Sequence, residues 1–524
     1  MSALAFLVFL PALALWTAFR SHTGIVLEDA LITYRYAENI AEGRGFVFNT
    51  GERVLGTTTP LYTLLLASAG RLLGADSIPS ASAVLLAVFG QLAGLMTYAA
   101  LRAVGLGVLP SALAVLLVLV HPDVAVAASG GMETVLVLAL MAGSLFALCT
   151  RRHGAAVVLC ALLVIARVDG AIWAAVVLAY LFLEERGAVF RRAALFAAVL
   201  LPWLAFAYAY FGSALPHSVV AKRAVAHAYL EKLGALHNLS AHLVWSIGAT
   251  GGRVEYGVAA LSPSWVQGLV FPVFAVLIGA GAVRVLSARR TRPLGTLVVF
   301  PPALCLAYLV GRAPRIFDWY LTPAVYCCGI LLAIGMTSLW HWSRARVSGR
   351  APLAVAVSLM IGIVAGHLVF DTHHAWRYHR RYQQVEDTLR RALGEWLAGH
   401  TPEDATVATE AIGYLGYYSD RRILDLAGIV SPEVVAIHRE SDGNAEAFQR
   451  ILTRLEPDYL VLRSFEVDRN RAFFGGPLFE GPEPTAAFRR AYAELRRFRS
   501  PHSHYWGKWG TLTLYARRAE DVPR

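Results

Sequence analysis

Charge is scarce in this chain. Asp, Glu, Lys and Arg make up 16% of its 524 residues, against about 25% in a typical soluble protein. That is too little to solvate the surface of a water-soluble chain of this length. Cysteine is scarce as well. The five, Cys149, Cys160, Cys305, Cys327 and Cys328, all fall inside apolar runs and none in the polar C-terminal segment, which excludes a disulfide framework there. No glycine-rich phosphate cradle of the Walker or dinucleotide type occurs, so chemistry driven by a soluble nucleotide loses its usual signature. No internal repeat is visible, which removes the half-and-half pattern of many transporters. The first apolar run, Ala3 to Phe19, has neither a basic segment before it nor a small-residue cleavage site. It reads as a retained helix rather than a signal peptide.

What the chain has in abundance is apolar sequence. Hydrophobic residues are 57% of the total and the mean hydropathy is +0.53. Twelve apolar runs begin near residues 3, 61, 80, 108, 132, 154, 171, 193, 265, 294, 319 and 351. They are continuous rather than alternating, so the expected spanning element is a helix and not a barrel strand. The fold class expected is a polytopic α-helical membrane protein of about 11 transmembrane helices, with residues 1–370 in the membrane domain and residues 371–524 a C-terminal α/β domain.

The formal charge of +11 does not point to nucleic acid, because much of it sits in short loops. Arg151-Arg152, Arg186 to Arg192, Arg284 to Arg292 and Arg344 to Arg350 each follow an apolar run. The positive-inside rule puts all four in the cytoplasm. The segments at about 20–60, 121–133, 167–170, 212–262 and 311–319, and everything after 370, then fall on the outer side of the cytoplasmic membrane. Alternation requires one run not to cross. Leu61 to Gly74, the weakest at roughly 14 residues, fits a re-entrant or interfacial segment better than a span.

The outer segments hold the candidate chemistry. Glu28 and Asp29 lie just beyond the first run, where a carboxylate reaches both a lipid-borne donor and an aqueous acceptor, and could act as a general base. The simpler alternative is that they cap a helix starting at Ala30. Arg167 and Asp169 sit at the outer end of a run. Ionisable residues at that depth read either as functional or as a salt bridge between spans, and Arg167 has the planar fork that suits phosphate oxygens. Lys222 and His217 open the longest outer loop. Lys222 reads as an anion contact or as a basic turn on lipid headgroups. Arg315 lies at another outer boundary beside Asp318-Trp319-Tyr320, whose aromatics suit interfacial anchoring. Asp123 and Glu133 flank a short loop with His121. Two carboxylates ten residues apart are a poor signal for a divalent cation, and helix capping is the simpler role. His373, His374 and His379 do not share one helical face and read as part of a solvated helix.

The first outer loop also carries a resemblance. Glu28-Asp29 is followed by Ala30-x-Ile32-x-x-Arg35-Tyr36, then Gly43-x-Gly45-x-x-x-Asn49-x-Gly51-Glu52-x-Val54-x-Gly56 and Pro60-Leu61. Ser129 to Thr134, Ala166 to Gly170, Leu215 to Lys222, Gly413-Tyr414 and Asp425 to Gly428 follow in order. This set resembles bacterial GT-C glycosyltransferases, in particular the terminal β-(1→2) arabinofuranosyltransferases of the actinobacterial cell wall (the AftB family). The resemblance implies an extracytoplasmic active site, a polyprenyl-phosphate sugar as donor substrate and a cell-envelope glycan as acceptor. It implies Asp29 at the reaction centre with Glu28 beside it, and Arg167, Lys222, Arg315 and Arg35 as candidates for the donor phosphate. A divalent cation, if used, would fall to Asp123 and Glu133. The chain departs from the pattern at Glu28, Leu31, Leu55 and Thr59, which leaves the sugar open. A lipid-linked-sugar transporter, or a non-catalytic binding partner, is the alternative.

After residue 370 charge rises. Arg377 to Leu397 is amphipathic and reads as a helix leaving the membrane. Strands are expected at Thr406–Thr409, Asp458–Leu462 and Thr511–Tyr515. Glu410, Tyr414, Tyr417, Tyr418 and Asp425 could meet sugar hydroxyls or form a docking surface.

Overall fold

The computed structural model describes residues 3–225, 264–310, 318–345, 351–472, 476–505 and 510–518. The expected segment at Arg315 lies outside these residues. The N-terminal part is helical: α1 (Ala3–Thr23), α2 (Glu28–Ala41), α3 (Pro60–Leu73), α4 (Ile78–Ala103), α5 (Val108–Leu119), α6 (Pro122–Ser129), α7 (Thr134–Cys149), α8 (His153–Ala166), α9 (Gly170–Glu184), α10 (Val189–Phe211), α11 (His217–Val225), α12 (Ser264–Leu286), α13 (Gly295–Val310), α14 (Asp318–Ala345) and α15 (Ala351–Glu386). Among the described residues four helices are long and apolar enough to cross a bilayer, and α5 with α6 forms a pair bent by 56°. The remaining apolar helices are shorter, α3 among them.

Apolar stripes hold this bundle together. Leu86, Val135, Leu138, Leu145 and Trp173 are buried in one continuous cluster. The α12 and α14 backbones approach so closely that a side chain at Gly281 or Gly335 would overlap the opposing helix, the small-residue contact that lets helices pack in lipid. By contrast few residues of α10 are buried, as in a lipid-facing helix.

Helix α15 does not stop where its apolar stretch ends. It runs on through a π-turn at Asp387–Arg391 into α16 (Ala392–His400). Beyond it lie β1 (Thr406–Thr409), α17 (Ile412–Ser419), β2 (Arg422–Asp425), α18 (Pro432–Glu440), α19 (Asn444–Leu455), β3 (Tyr459–Arg463), α20 (Ser464–Asp468), α21 (Pro482–Ala491), β4 (Tyr492–Arg499) and β5 (Thr511–Arg517). The strands form one sheet of order β2-β1-β3-β5-β4. β1 pairs parallel with β2 and β3, and β5 pairs antiparallel with β3 and β4.

Period-two alternation divides the sheet's side chains between two cores. Val407, Ile423 and Val461 face one side, where Tyr36, Phe46 and Phe48 of the first outer loop join them. Ala408, Leu424, Leu460 and Leu462 face the other, under Val434, Phe448 and Ile451. The first loop is therefore part of the C-terminal domain's core.

Candidate functional site

The site begins at α2. Its first residue is Glu28, with Leu27 at the N-cap and no side-chain cap, so neither carboxylate caps this helix as the sequence allowed. Glu28 instead accepts hydrogen bonds from the backbone N–H of Gly413 (2.6 Å) and Tyr414 (3.4 Å). Those are the second and third residues of α17, whose own N-cap, Ala411, offers no side-chain acceptor. Glu28 thus caps a helix of the C-terminal domain, where a negative charge also meets the positive end of the helix dipole. Gly413 is obligatory, since a Cβ there would overlap the Glu28 carbonyl.

Arg390, on the π-turn, stands 3.6 Å from Glu28 and 3.4 Å from Glu386. Burial pushes the Glu28 carboxyl up to about 7, although Arg390 works against it.

Asp29 is half-buried at the start of α2, beside the turn that leads to Glu133. The backbone explains the proximity. Leu27 N–H donates to the Gly130 carbonyl at 3.0 Å. Gly131 turns with φ +87° in the left-handed region, and a side chain there would overlap the Tyr34 hydroxyl.

From Glu133 the polar groups continue. Arg167 is buried and gives both oxygens of Asp169 a hydrogen bond, at 2.6 and 2.9 Å. Its remaining nitrogen donates to the Trp319 carbonyl at 3.2 Å and lies 3.6 Å from Glu133. Tyr308 donates to Asp169 at 2.8 Å. Two cations approach the Tyr320 ring: Arg167 is 5.9 Å and Lys222 5.4 Å from its centroid. Lys222 donates to the Tyr320 hydroxyl at 2.8 Å. Segments at residues 29, 133, 167–169, 222, 308 and 319–320, far apart in sequence, converge here.

Chemically this arrangement pairs a half-buried carboxylate with two fixed cations. Such a pairing can activate a hydroxyl on one side and steady a departing anion on the other.

The other expected residues go elsewhere. Arg35 is buried, and its three nitrogens donate to the carbonyls of Phe48 (2.8 Å), Gly416 and Arg421 (3.0 Å). It clamps the first loop to the C-terminal domain rather than facing a donor phosphate. Tyr414 is fully buried and donates to the Val26 carbonyl at 2.8 Å, which is docking and not sugar contact. Asp425 is also buried. It accepts from the N–H groups of Ala427, Ile429 and Val430 and so holds a turn. Glu410 is half-buried and accepts from Arg463. The His217 backbone N–H donates to the Leu55 carbonyl at 2.7 Å.

Asp123 lies 3.8 Å from His121, and His121 is the residue that caps α6. Glu133 makes no capping bond and faces Arg167 instead. Each of the two carboxylates thus has a partner of its own, His121 for Asp123 and Arg167 for Glu133. Among the described residues no group of three or more His, Cys, Asp or Glu side chains is placed to hold a metal ion. His379 is buried against Phe19, so the solvated reading fails for it.

Sequence reasoning missed Arg390, Tyr308 and Gln383, whose side-chain oxygen accepts from Val26 N–H at 3.0 Å. Arg390 lies in an Arg-rich amphipathic stretch where a half-buried arginine looks like its exposed neighbours.

The oligosaccharyltransferase of Archaeoglobus fulgidus, in its apo form, matches over 99% of this chain and 75% of its own, at 16% identity and a TM-score of 0.58. ArnT from Cupriavidus metallidurans bound to undecaprenyl phosphate matches over 99% of both chains, at 13% identity and a TM-score of 0.54. The apo state of ArnT matches over 97% of both, at 14% identity and a TM-score of 0.53. The fold is the GT-C fold. A family model described as a domain of unknown function (DUF8728) matches residues 374–516, the C-terminal part of the chain. No curated protein matches in sequence. Within the GT-C fold, the cluster from Asp29 to Lys222 is formed by the start of α2 and the ends of helices in the bundle, beneath the C-terminal domain.

Proposed function

We propose that this protein is a glycosyltransferase that moves a sugar from polyprenyl phosphate to a hydroxyl of a cell-envelope glycan, outside the cytoplasmic membrane. The observation that carries the reading is the convergence of Asp29, Arg167–Asp169 and Lys222–Tyr320 in a chain with the GT-C fold along its whole length. The bond between the anomeric carbon and the phosphate oxygen breaks, and polyprenyl phosphate leaves with the electron pair. The acceptor oxygen bonds to that carbon. In an inverting reaction its proton passes to Asp29. Lys222 is the cation offered to the departing phosphate. Arg167, engaged by Asp169 and the Trp319 carbonyl, shapes the site's field and fixes Tyr320. Arabinofuranose is the first sugar to try, from the first-loop resemblance.

The test is transfer from synthetic polyprenyl-phosphate sugars by purified wild type and Asp29→Asn in detergent. Wild-type transfer that falls at least ~100-fold in the variant, about 2.7 kcal/mol of barrier, with the fold intact, upholds the reading. Equal transfer by both proteins would remove Asp29 from the mechanism. Donor binding without transfer to any acceptor would favour a transporter.

A further inference from the structure

The C-terminal domain contains a cavity of about 50 Å³ that the reaction just described does not use. Its position follows from the sheet. Thr409 and Glu410 close the end of β1, Leu426 follows β2, and Leu462-Arg463 end β3, and all line the cavity. It therefore opens at the carboxyl ends of the three parallel strands. The chain leaves β1 for β2 on one side, then returns past β1 to reach β3 on the other. Connections that part in this way leave a crevice at the strand ends, which is where open α/β sheets bind ligands.

Two observations narrow the ligand. In such sheets an anion would sit at the N-terminus of the helix after the first strand. Here that helix is α17, and its N–H groups are already taken by the Glu28 carboxylate. The charged lining is moreover balanced, with Arg390 and Arg463 against Glu410 and Glu466. Arg463 donates to Glu410 and lies 3.6 Å from Glu466. A phosphate or nucleotide would meet as much negative charge as positive. A neutral polyhydroxylated ligand would find donors and acceptors held rigidly in pairs, with the His438 ring, the Asn444 amide and the Phe448 face completing a largely apolar concavity. The volume admits roughly three to five water-sized groups, enough for one hydroxyl-bearing edge of a sugar ring rather than the whole residue.

We propose that this cavity binds one hydroxyl-bearing edge of a single neutral sugar residue of a glycan chain. Only the ligand's role as acceptor rests on the transferase reading; the binding itself does not. Arg390 lines the cavity and also pairs with Glu28, so a glycan held there has its next residues beside the start of α2.

The experiment uses the full-length protein in detergent and saturation-transfer NMR, with neutral arabinofuranosyl, galactofuranosyl and mannopyranosyl disaccharides and with glucose 6-phosphate as the anionic probe. At least one neutral disaccharide is expected to bind more tightly than the sugar phosphate. His438→Ala with Asn444→Ala is expected to weaken it roughly tenfold, with no change in thermal unfolding. Hydrogen exchange supplies a reading free of substitutions: the saccharide should slow exchange at residues 409–411 and 461–466. Tighter binding of the phosphate, no binding by any neutral probe, or protection confined to the membrane helices would overturn the proposal. Saccharide binding without glycosyl transfer would leave it standing while the transferase reading fell.

Discussion

Arg390 and Glu28 meet at 3.6 Å across the junction between the helical bundle and the C-terminal domain. Arg390 reaches Glu28 from a π-turn, a local widening of the helix that often marks functional positions. Glu28 is already bound to two backbone N–H groups. The residue next to the proposed reactive carboxylate is therefore the point at which the two parts of the molecule are joined.

This junction should respond to pH. Burial raises Glu28 from 4.5 to about 7 against the pull of Arg390, and burial also raises Glu386. A carboxyl whose folded pKa lies above its unfolded value holds its proton more tightly when folded. Its contribution is present at low pH and is lost as pH rises through the folded pKa. Between about pH 5 and pH 8 the docked domain should lose on the order of 1–3 kcal/mol, read from denaturant unfolding. Glu28→Gln, which keeps an acceptor for Gly413, should flatten the profile. A wild-type stability independent of pH would contradict this.

Gly413→Ala should loosen the same junction, because the new methyl overlaps the Glu28 carbonyl. The expected cost is about 1–3 kcal/mol, seen as faster protease cleavage near residues 401–405. Gly399→Ala, whose methyl meets nothing, is the control and should leave cleavage unchanged.

Much of this architecture is legible from sequence. The apolar runs give the helices, and β1 falls where Thr406–Thr409 predicts it. β2 and β4 are not legible, for different reasons. Arg422–Asp425 is too short to show a period. β4 is an edge strand rich in Arg and Glu with a register shift between Glu494 and Arg496. Charge of that kind protects an edge from pairing and hides the strand's alternation. The site divides in the same way. Arg167 and Asp169 stand out because charge is rare among spans. Arg35 and Tyr414 carry the right chemistry, but which partner each meets depends on chain hundreds of residues away.

Arg167→Ala should cost stability before it costs chemistry. It would leave the buried Glu133 and the half-buried Asp169 without their guanidinium, a loss of about 3–5 kcal/mol measurable as a lower unfolding temperature in detergent. Adding Asp169→Asn should restore part of it. Full stability of the single variant would show that the pair does not hold these helices together.

Lys222 and Tyr320 separate along a different axis. If Lys222 steadies the departing phosphate, Lys222→Ala should lower kcat by roughly 10²–10³ with little change in unfolding temperature. Tyr320→Phe removes only the hydroxyl that Lys222 meets at 2.8 Å, and should cost about tenfold. A Lys222→Ala protein that keeps its kcat but unfolds earlier would make Lys222 a packing residue.

The cap that Glu28 places on α17 joins groups 385 residues apart in sequence. At a synthesis rate of about 5–20 residues per second, the first loop is made roughly 20–80 s before its partners. Through that interval Arg35 lacks the Gly416 and Arg421 carbonyls, and Asn49 lacks the Ile423 backbone that it pairs with when folded. The segment that carries Asp29 is thus among the first to be made and among the last to acquire its final shape. A newly made chain stays incomplete at its proposed reaction centre until its last quarter has emerged.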